Sequence, residues 1–315
     1  MLLKVRRFVL GVDEADWLEV WNEVHGKRLD HAPMTVEEMR SYEKSPDFEA
    51  MGRFIAELDG KPVGVVHAYV DKLRGEKKGF VRVFGLLPEF RGQGVEEKLA
   101  ATAMEELKRR GMKVVQSSAD GDQRELIRLW EGLGFKLVRV SSLMTVDLTK
   151  LQTCIGENKE VVLKPLQRDS NEDLQMLNGL QNECFKEHFN WRPNPLERTI
   201  FLVREDPSFK IQEWRFAMLK GMHAGYVGIG VDEGYNAARN AKVSVVLDIG
   251  VLKPYRRTGI GTTLILHGMD LLKDKGMTVA MLGVDDWNVT KAIRLYNKVG
   301  FKVAERELFY EKRIE

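Results

Sequence analysis

Cysteine is nearly absent. The 315 residues hold two, Cys154 and Cys184, and neither sits in a C-x-x-C pair or a Cys/His cluster. That leaves no basis for a disulfide scaffold and points to reduced thiols in a reducing compartment. Long apolar runs are missing as well. No stretch reaches the ~18 residues of a membrane span, and the apolar run Phe8–Val12 near the start is too short for a secretory leader. Nor does charge of one sign prevail: 49 Lys and Arg against 47 Asp and Glu leave a formal net charge of +2. Binding to nucleic acid or a membrane surface needs a clustered basic face, and this balance gives it no support. Histidine is scarce, and His188, His223 and His267 have no histidine or cysteine three or four residues on. No metal is expected, and the setting these absences suit is the cytoplasm.

What the chain has is length, apolar content and an internal repeat. With 43% apolar residues, 315 residues can build two cores. Phe90-Arg91-Gly92-Gln93-Gly94-Val95-Glu96 matches Tyr255-Arg256-Arg257-Thr258-Gly259-Ile260-Gly261 at an offset of 165 (259 − 94). The helix that follows ends at Gly111-Met112 in one copy and Gly276-Met277 in the other, again at 165 (276 − 111). Leu133-Gly134-Phe135 answers Val299-Gly300-Phe301 at 166 (301 − 135), one inserted residue later. Three markers in one order at one spacing indicate a duplication. The expected domains are 1–150 and 160–315, with the boundary near Lys150–Lys159.

Periodicity supplies the elements. In the first half, helices are expected over Asp13–His25, Thr35–Glu43, Val95–Arg110 and Asp122–Gly132. Thr35 and Glu38 are placed as a capping box. Strands are expected over Phe54–Leu58, Val63–Tyr69, a run ending at Leu87, Val114–Ser118 and Lys136–Asp147. The second half repeats the order, with helices over Asn171–His188, Pro195–Val203, Thr262–Lys275 and Thr290–Lys298. Its strands are Arg215–Lys220, Gly225–Val231, Val243–Val251, Val279–Val284 and Lys302–Lys312. The fold class is α/β: in each half, a mixed and mostly antiparallel sheet with helices on both faces.

The sharpest chemical signal is Arg256-Arg257-Thr258-Gly259-Ile260-Gly261-Thr262, which follows an apolar strand and opens a helix. A helix N-terminus offers unpaired backbone N–H groups and the positive end of a dipole, which suits a phosphate. Gly259 and Gly261 let backbone amides approach closely. Arg256 and Arg257 add charge, and Thr262 can cap or donate a hydroxyl. This stretch resembles motif A of the GNAT superfamily, (Gln/Arg)-x-x-Gly-x-(Gly/Ala), with Arg256, Gly259 and Gly261 at its three specified positions. The run from Trp287-Asn288 through Leu295-Tyr296-Asn297-Lys298-Val299-Gly300-Phe301 resembles the following motif B. Upstream, Cys184 to Pro193 is similar to the corresponding segment of tandem GNAT proteins of the mycothiol-synthase type.

The resemblance implies acetyl-CoA as cosubstrate and an amine of a small molecule or peptide as acceptor, with the amine attacking the thioester directly in a ternary complex. It implies that Ile249, Gly250 and Val251 pair with the pantetheine arm through backbone groups, with an amide such as that of Val251 near the developing oxyanion. Asn288 would touch CoA and could also hold its helix through Thr290. Tyr296 falls where the family often carries a tyrosine that protonates the leaving thiolate, although it could equally pack on the sheet. Many members carry their catalytic acid near the position of Val245, which cannot ionise. Asp248, set in an apolar run and expected on the face opposite Val245, Leu247 and Ile249, is either base or substrate anchor, or a structural hydrogen-bonder. Asp232, Glu233, Asp285 and Asp286 read as solvated loop acids. Phe189, Trp191 and Tyr226 could line an acceptor pocket or belong to the core.

The first copy departs from this pattern. Glu96 stands opposite Gly261 and is followed by Glu97, so a carboxylate meets the place a phosphate would take. Two unit charges ~4 Å apart repel by about 4 kcal/mol near a protein surface. Trp130 stands opposite Tyr296 and Asp122 opposite Asn288. The first half is therefore expected to lack the cofactor and to support the second. A non-catalytic acyl-CoA sensor or scaffold is the competing function; a pure interaction module conflicts with the intact cradle. The oligomer, monomer or homodimer, is not legible.

Overall fold

A computed structural model of the chain describes residues 2–26, 28–150 and 157–314. Cys154 and most of the expected boundary segment lie outside the described residues. Among the described residues, no helix is long and apolar enough to cross a membrane. Two compact units are present: 1–140 with 307–315, and 141–306.

The first unit contains β1 (Leu3–Arg7), α1 (Glu14–His25), α2 (Val36–Tyr42), β2 (Arg53–Leu58), β3 (Lys61–Tyr69), β4 (Lys78–Leu86), α3 (Val95–Arg109), β5 (Val114–Asp120) and α4 (Arg124–Gly132). β6 (Lys136–Asp147) begins in this unit and ends in the second. Thr35 and Glu38 form the expected capping box at the start of α2. The sheet order is β1-β2-β3-β4-β5, closed by the end of the last strand of the chain, β12 (Lys302–Arg313). All neighbours run antiparallel except β4 and β5. α3 presents Val95, Leu99, Ala103 and Leu107 to one face, a spacing of about one helical turn. α1 lays Trp17, Leu18 and Val20 on the other.

The second unit repeats this plan with β7 (Val161–Pro165), α5 (Asn171–Phe185), α6 (Leu196–Arg204), β8 (Ile211–Leu219), β9 (Met222–Val231), α7 (Glu233–Arg239), β10 (Val243–Val251), α8 (Ile260–Asp274), β11 (Val279–Asp285) and α9 (Ala292–Lys298). Its order is β7-β8-β9-β10-β11-β6, antiparallel except for β10 and β11. α8 buries Ile260, Leu264, Ile265, Met269 and Leu272 against one face. α5 buries Leu174, Leu177, Leu180 and Cys184 against the other. Each buried aliphatic side chain of this size contributes roughly 1.5–3 kcal/mol.

Three elements escaped the sequence reading. β1 and β7 are edge strands of five residues, too short to show a period. α7 has seven residues; its cap is Asp232, which accepts the Tyr235 N–H at 2.8 Å and so is not a loop acid. The compact units also depart from the duplicated halves, because the last strands are exchanged. β6 and β12 have 12 residues each, about twice the usual strand length. Residues 141–147 pair with β11, and 307–313 pair with β5.

The exchange gives an expected outcome. Tyr310 on β12 is buried in the core of the first unit. Tyr310→Ala should destabilise that unit by about 3 kcal/mol in denaturant unfolding. A fragment spanning 1–150, which lacks this strand, should fail to fold cooperatively. Cooperative unfolding of that fragment would contradict the exchange.

Candidate active site

β10 and β11 pair in parallel over three residues and then part. The last matched pair is Val245 with Met281. Directly after it the register of β10 against β9 slips between Val246 and Asp248, so Leu247 is a bulge. A bulge adds a residue, bends its strand and ends pairing. Val246 to Val251 and Leu282 to Asp285 then line a cavity of about 900 Å³, closed by residues of α5, α8 and α9. The edge of β10 at Ile249, Gly250 and Val251 thus opens to the cavity.

The bulge corrects the expected alternation. Leu247 packs with α5, on the same face as Asp248, which bonds Gln181 of that helix. Ile249 packs on the other face, with α8.

At the mouth of the cavity, Gly259 takes a left-handed conformation, φ 88°, as the residue before α8. The first intrahelical bond runs from Thr263 N–H to Gly259 O at 3.0 Å, so the amides before it have no helical acceptor. Gly259, Gly261 and Thr262 line the cavity there. A Cβ on Gly261 would stand 3.3 Å from Leu295 Cδ2, so a larger residue there requires Leu295 to give way by a few tenths of an ångström. The backbone fits a pyrophosphate.

Other residues of the motif do different things. Arg256 lines the cavity, but its guanidinium is engaged with Val251 O at 3.1 Å, Cys184 O at 3.2 Å and Glu187 Oε2 at 3.2 Å. It clamps the strand end to α5 and is not free charge. Arg257, left-handed at φ 65°, donates to Thr290 O at 3.2 Å. Thr258 turns away and donates to Tyr255 O at 2.7 Å. Ile260 is a core residue. For Thr258 and Ile260, only backbone groups remain for a ligand. Asn288 Oδ1 accepts both the N–H and the hydroxyl of Thr290 at 2.7 Å. It ties this turn and does not cap α9, which starts later, at Ala292.

Asp248 and Tyr296 both line the cavity. Asp248 Oδ2 accepts from Gln181 Nε2 and from the Tyr226 hydroxyl, each at 2.9 Å. Burial raises its carboxyl from 3.8 to about 6, and these hydrogen bonds offset part of the rise. Tyr296 packs against Phe301 at 6.1 Å. Burial, and then the charge of Asp248, hold its phenol above the ordinary value. Tyr226 is fully buried; Phe189 and Trp191 do not line the cavity. Asp285 does line it and accepts the Trp287 N–H at 3.0 Å, while Asp286 pairs with Arg306 at 3.5 Å. Both therefore have partners and are not simply solvated. Among the described residues, no group of three or more His, Cys or acidic side chains is placed to hold a metal.

The first unit has the same parting of strands. β4 and β5 pair from Lys78 to Phe80 only, and β4 is also bulged against β3. Here side chains fill the space. Phe84, opposite Ile249 (249 − 165), meets fully buried Trp130 edge to face at 5.1 Å. Trp130 Nε1 donates to Ser118 O at 3.3 Å. Glu96 Oε1 accepts the Gly92 N–H of its own cradle at 3.3 Å, so a carboxylate stands at this helix N-terminus where the second unit has Gly261. Val83 stands at the position of Asp248 (248 − 165). Gly85 pairs with Val65 where Gly250 pairs with Tyr226, so both members of the Asp–Tyr pair are valines.

The model of the acetyltransferase (GNAT) family matches residues 15–135 and 174–301. The mycothiol acetyltransferase of Thermomonospora curvata is 31% identical over 131 residues, covering 42% of this chain and 43% of that protein. That of Streptomyces coelicolor is 29% identical over 137 residues, 42% of each. The matched region therefore spans less than half the length of these curated relatives. Among solved structures, a tandem GNAT protein from the clavulanic acid biosynthesis pathway superposes with a TM-score of 0.76 at 14% identity, covering 99% of this chain and 98% of that one. A GCN5-related N-acetyltransferase from Sphaerobacter thermophilus gives 0.73 at 19%, covering 99% and 95%. At these identities the structures share the fold.

One chemical outcome follows from the cavity wall. Burial pushes the Cys184 thiol up to about 12. At pH 8 its thiolate fraction is then about one in ten thousand. Mass spectrometry after iodoacetamide treatment of the native chain should find Cys184 unmodified while it labels in urea. Rapid native labelling would contradict this environment.

Proposed function

The chain belongs to the acetyltransferase (GNAT) family, and on that premise we propose that its second unit is an N-acetyltransferase. It moves an acetyl group from acetyl-CoA to an amine of a small molecule or peptide, both bound at once. The observation that carries this reading is a half-buried carboxylate and a buried phenol facing one cavity, beside a strand edge and a helix N-terminus suited to a pyrophosphate.

The amides of Gly259, Gly261 and Thr262 would hold the pyrophosphate, and the exposed edge of β10 would pair with the pantetheine arm. Acetyl-CoA supplies the activated acyl group. Asp248 is the base. A carboxyl near 6 is ionised at neutral pH, yet holds a proton about two units more firmly than a solvated aspartate, which suits taking one from an ammonium. A backbone N–H of β10, with Val251 as the candidate, faces the charge that develops on the carbonyl oxygen. Tyr296 stays protonated across the working range and presents its O–H to the departing sulfur by proximity and hydrogen bonding. The high value of Cys184 favours direct attack by the amine over acyl transfer through that thiol.

The first unit is proposed to bind no acyl-CoA. Glu96, the Phe84–Trp130 pair and the valines at 65 and 83 each remove one requirement of the site. A non-catalytic sensor draws support from the missing acid at Val245 and from the altered first copy; Asp248 and Tyr296 lining one cavity speak against the first of these grounds.

Release of free CoA thiol with a panel of amines tests the activity. Turnover should rise with pH and level off above about 6 as Asp248 ionises. Asp248→Asn should lower it by two or more orders of magnitude, and Tyr296→Phe severalfold or more, with acetyl-CoA binding retained in both. Stability separates a working carboxylate from a structural one. A carboxyl raised from 3.8 favours the folded state only when protonated, so its contribution is lost as pH rises through about 6. The ionised group then costs up to about 3 kcal/mol. Asp248→Asn should therefore be as stable as the parent or more so at pH 8. A less stable, fully active Asp248→Asn protein would overturn the assignment.

A further inference from the structure

Asp248 receives one of its hydrogen bonds through a chain of neutral side chains that begins on α6. An amide such as Gln181 can turn either its nitrogen or its oxygen to a carboxylate, and only the nitrogen stabilises the ion. The choice is settled one residue further back. Thr199 Oγ1 accepts from Asn194 Nδ2 at 2.8 Å and from Asn178 Nδ2 at 3.0 Å. Both acceptor positions are thereby used, and the single hydroxyl proton goes to Gln181 Oε1 at 3.1 Å. With Oε1 engaged, Nε2 is the atom that faces Asp248 Oδ2.

The far end of the chain is fixed as well. Asn178 and Asn182 both donate to the Asn194 carbonyl, at 2.8 and 2.9 Å. Asn182 Oδ1 accepts the Asn194 N–H at 2.7 Å. Thr199 is buried, and its hydroxyl is held by three side-chain bonds. Packing α5 on α6 does not by itself require five polar side chains, and one of them, Gln181, carries the cluster to the carboxylate oxygen of Asp248. The titratable groups that feel the charge of Asp248 include Cys184 from α5, Tyr226 from β9 and Tyr296 from α9, all neutral at neutral pH. Arg256, the cation beside Cys184, is held by Glu187 and two carbonyls. Burial and neutral donors, and not an ion pair, therefore set how this carboxylate holds its proton.

We propose that Thr199 is a positioning residue: acting through Gln181, it fixes the donor that Asp248 receives and so sets how firmly that carboxylate holds a proton. The catalytic meaning rests on Asp248 as base. The positioning itself does not, and it can be read without acceptor or cosubstrate.

The test is a pH titration by NMR of the full chain labelled with carboxyl-¹³C aspartate, the Asp248 resonance being identified by its loss in Asp248→Asn. Thr199→Val, close in shape, frees Gln181 to turn its oxygen inward. The Asp248 midpoint should rise by about one pH unit or more. Gln181→Met should raise it as well, and Thr199→Ser, which keeps the hydroxyl, should titrate like the parent. An unmoved midpoint in Thr199→Val overturns the proposal, as does Thr199→Ser shifting as far as Thr199→Val, since packing would then be the cause. Should Thr199→Val not fold, Gln181→Met at its half-buried position decides in its place, and an unmoved midpoint there overturns the proposal. In turnover, the acid limb should move with the NMR midpoint. If the midpoint moves and Asp248→Asn remains active, Asp248 is not the base while the positioning stands.

Discussion

The structure turns on where two parallel strands stop pairing. β10 and β11 separate after Val245 and Met281, at a bulge on Leu247. From there a row of backbone polar groups has lost its neighbour, and such groups must find a partner in solvent or ligand. In the second unit the opening is bordered by glycines and small loops, and a cavity results. In the first unit the strands part the same way, but Phe84 packs edge to face on Trp130 and Glu96 bonds the Gly92 N–H. One backbone device thus has two outcomes, and side chains decide between them.

A second constraint is the cost of a buried charge. Asp248 sits where partial burial disfavours ionisation, and among the described residues the groups that relieve it are neutral hydrogen-bond donors. The unit tolerates this because Gln181 and Tyr226 supply two hydrogen bonds to one oxygen. In the first unit, the same positions are Val83 and Val65. Removing the charge and its donor together is the change that leaves no polar group stranded, because an unpartnered hydroxyl or carboxylate in that core would cost more than either valine.

Much of this was legible in the residues. The repeat, the cradle and the contrast of Glu96 with Gly261 all rest on local pattern, and a glycine before a helix or a glutamate in its place keeps its meaning wherever the chain goes. What could not be read depends on distant pairing. β1 and β7 are five-residue edges without a period. The exchange of 141–147 and 307–313 follows from which strand lies beside which, and a strand's own sequence is silent on that. The bulge at Leu247 breaks the alternation that placed Leu247 opposite Asp248. Gln181 and Thr199 were invisible because polar residues on helices look like solvent-facing positions until their partners are known. One signal was available: carrying the offset of 165 back from Asp248 reaches Val83, a further departure in the first copy.

The central claim is that one of two related openings takes acyl-CoA. Calorimetric titration of the full chain with acetyl-CoA tests it most directly. The expected result is one site per chain, weakened by at least about 100-fold in Gly261→Glu, since a carboxylate ~4 Å from a phosphate costs roughly 4 kcal/mol near a surface, and left unchanged in Glu96→Gly. Two sites per chain, or one site that survives Gly261→Glu, would contradict the account.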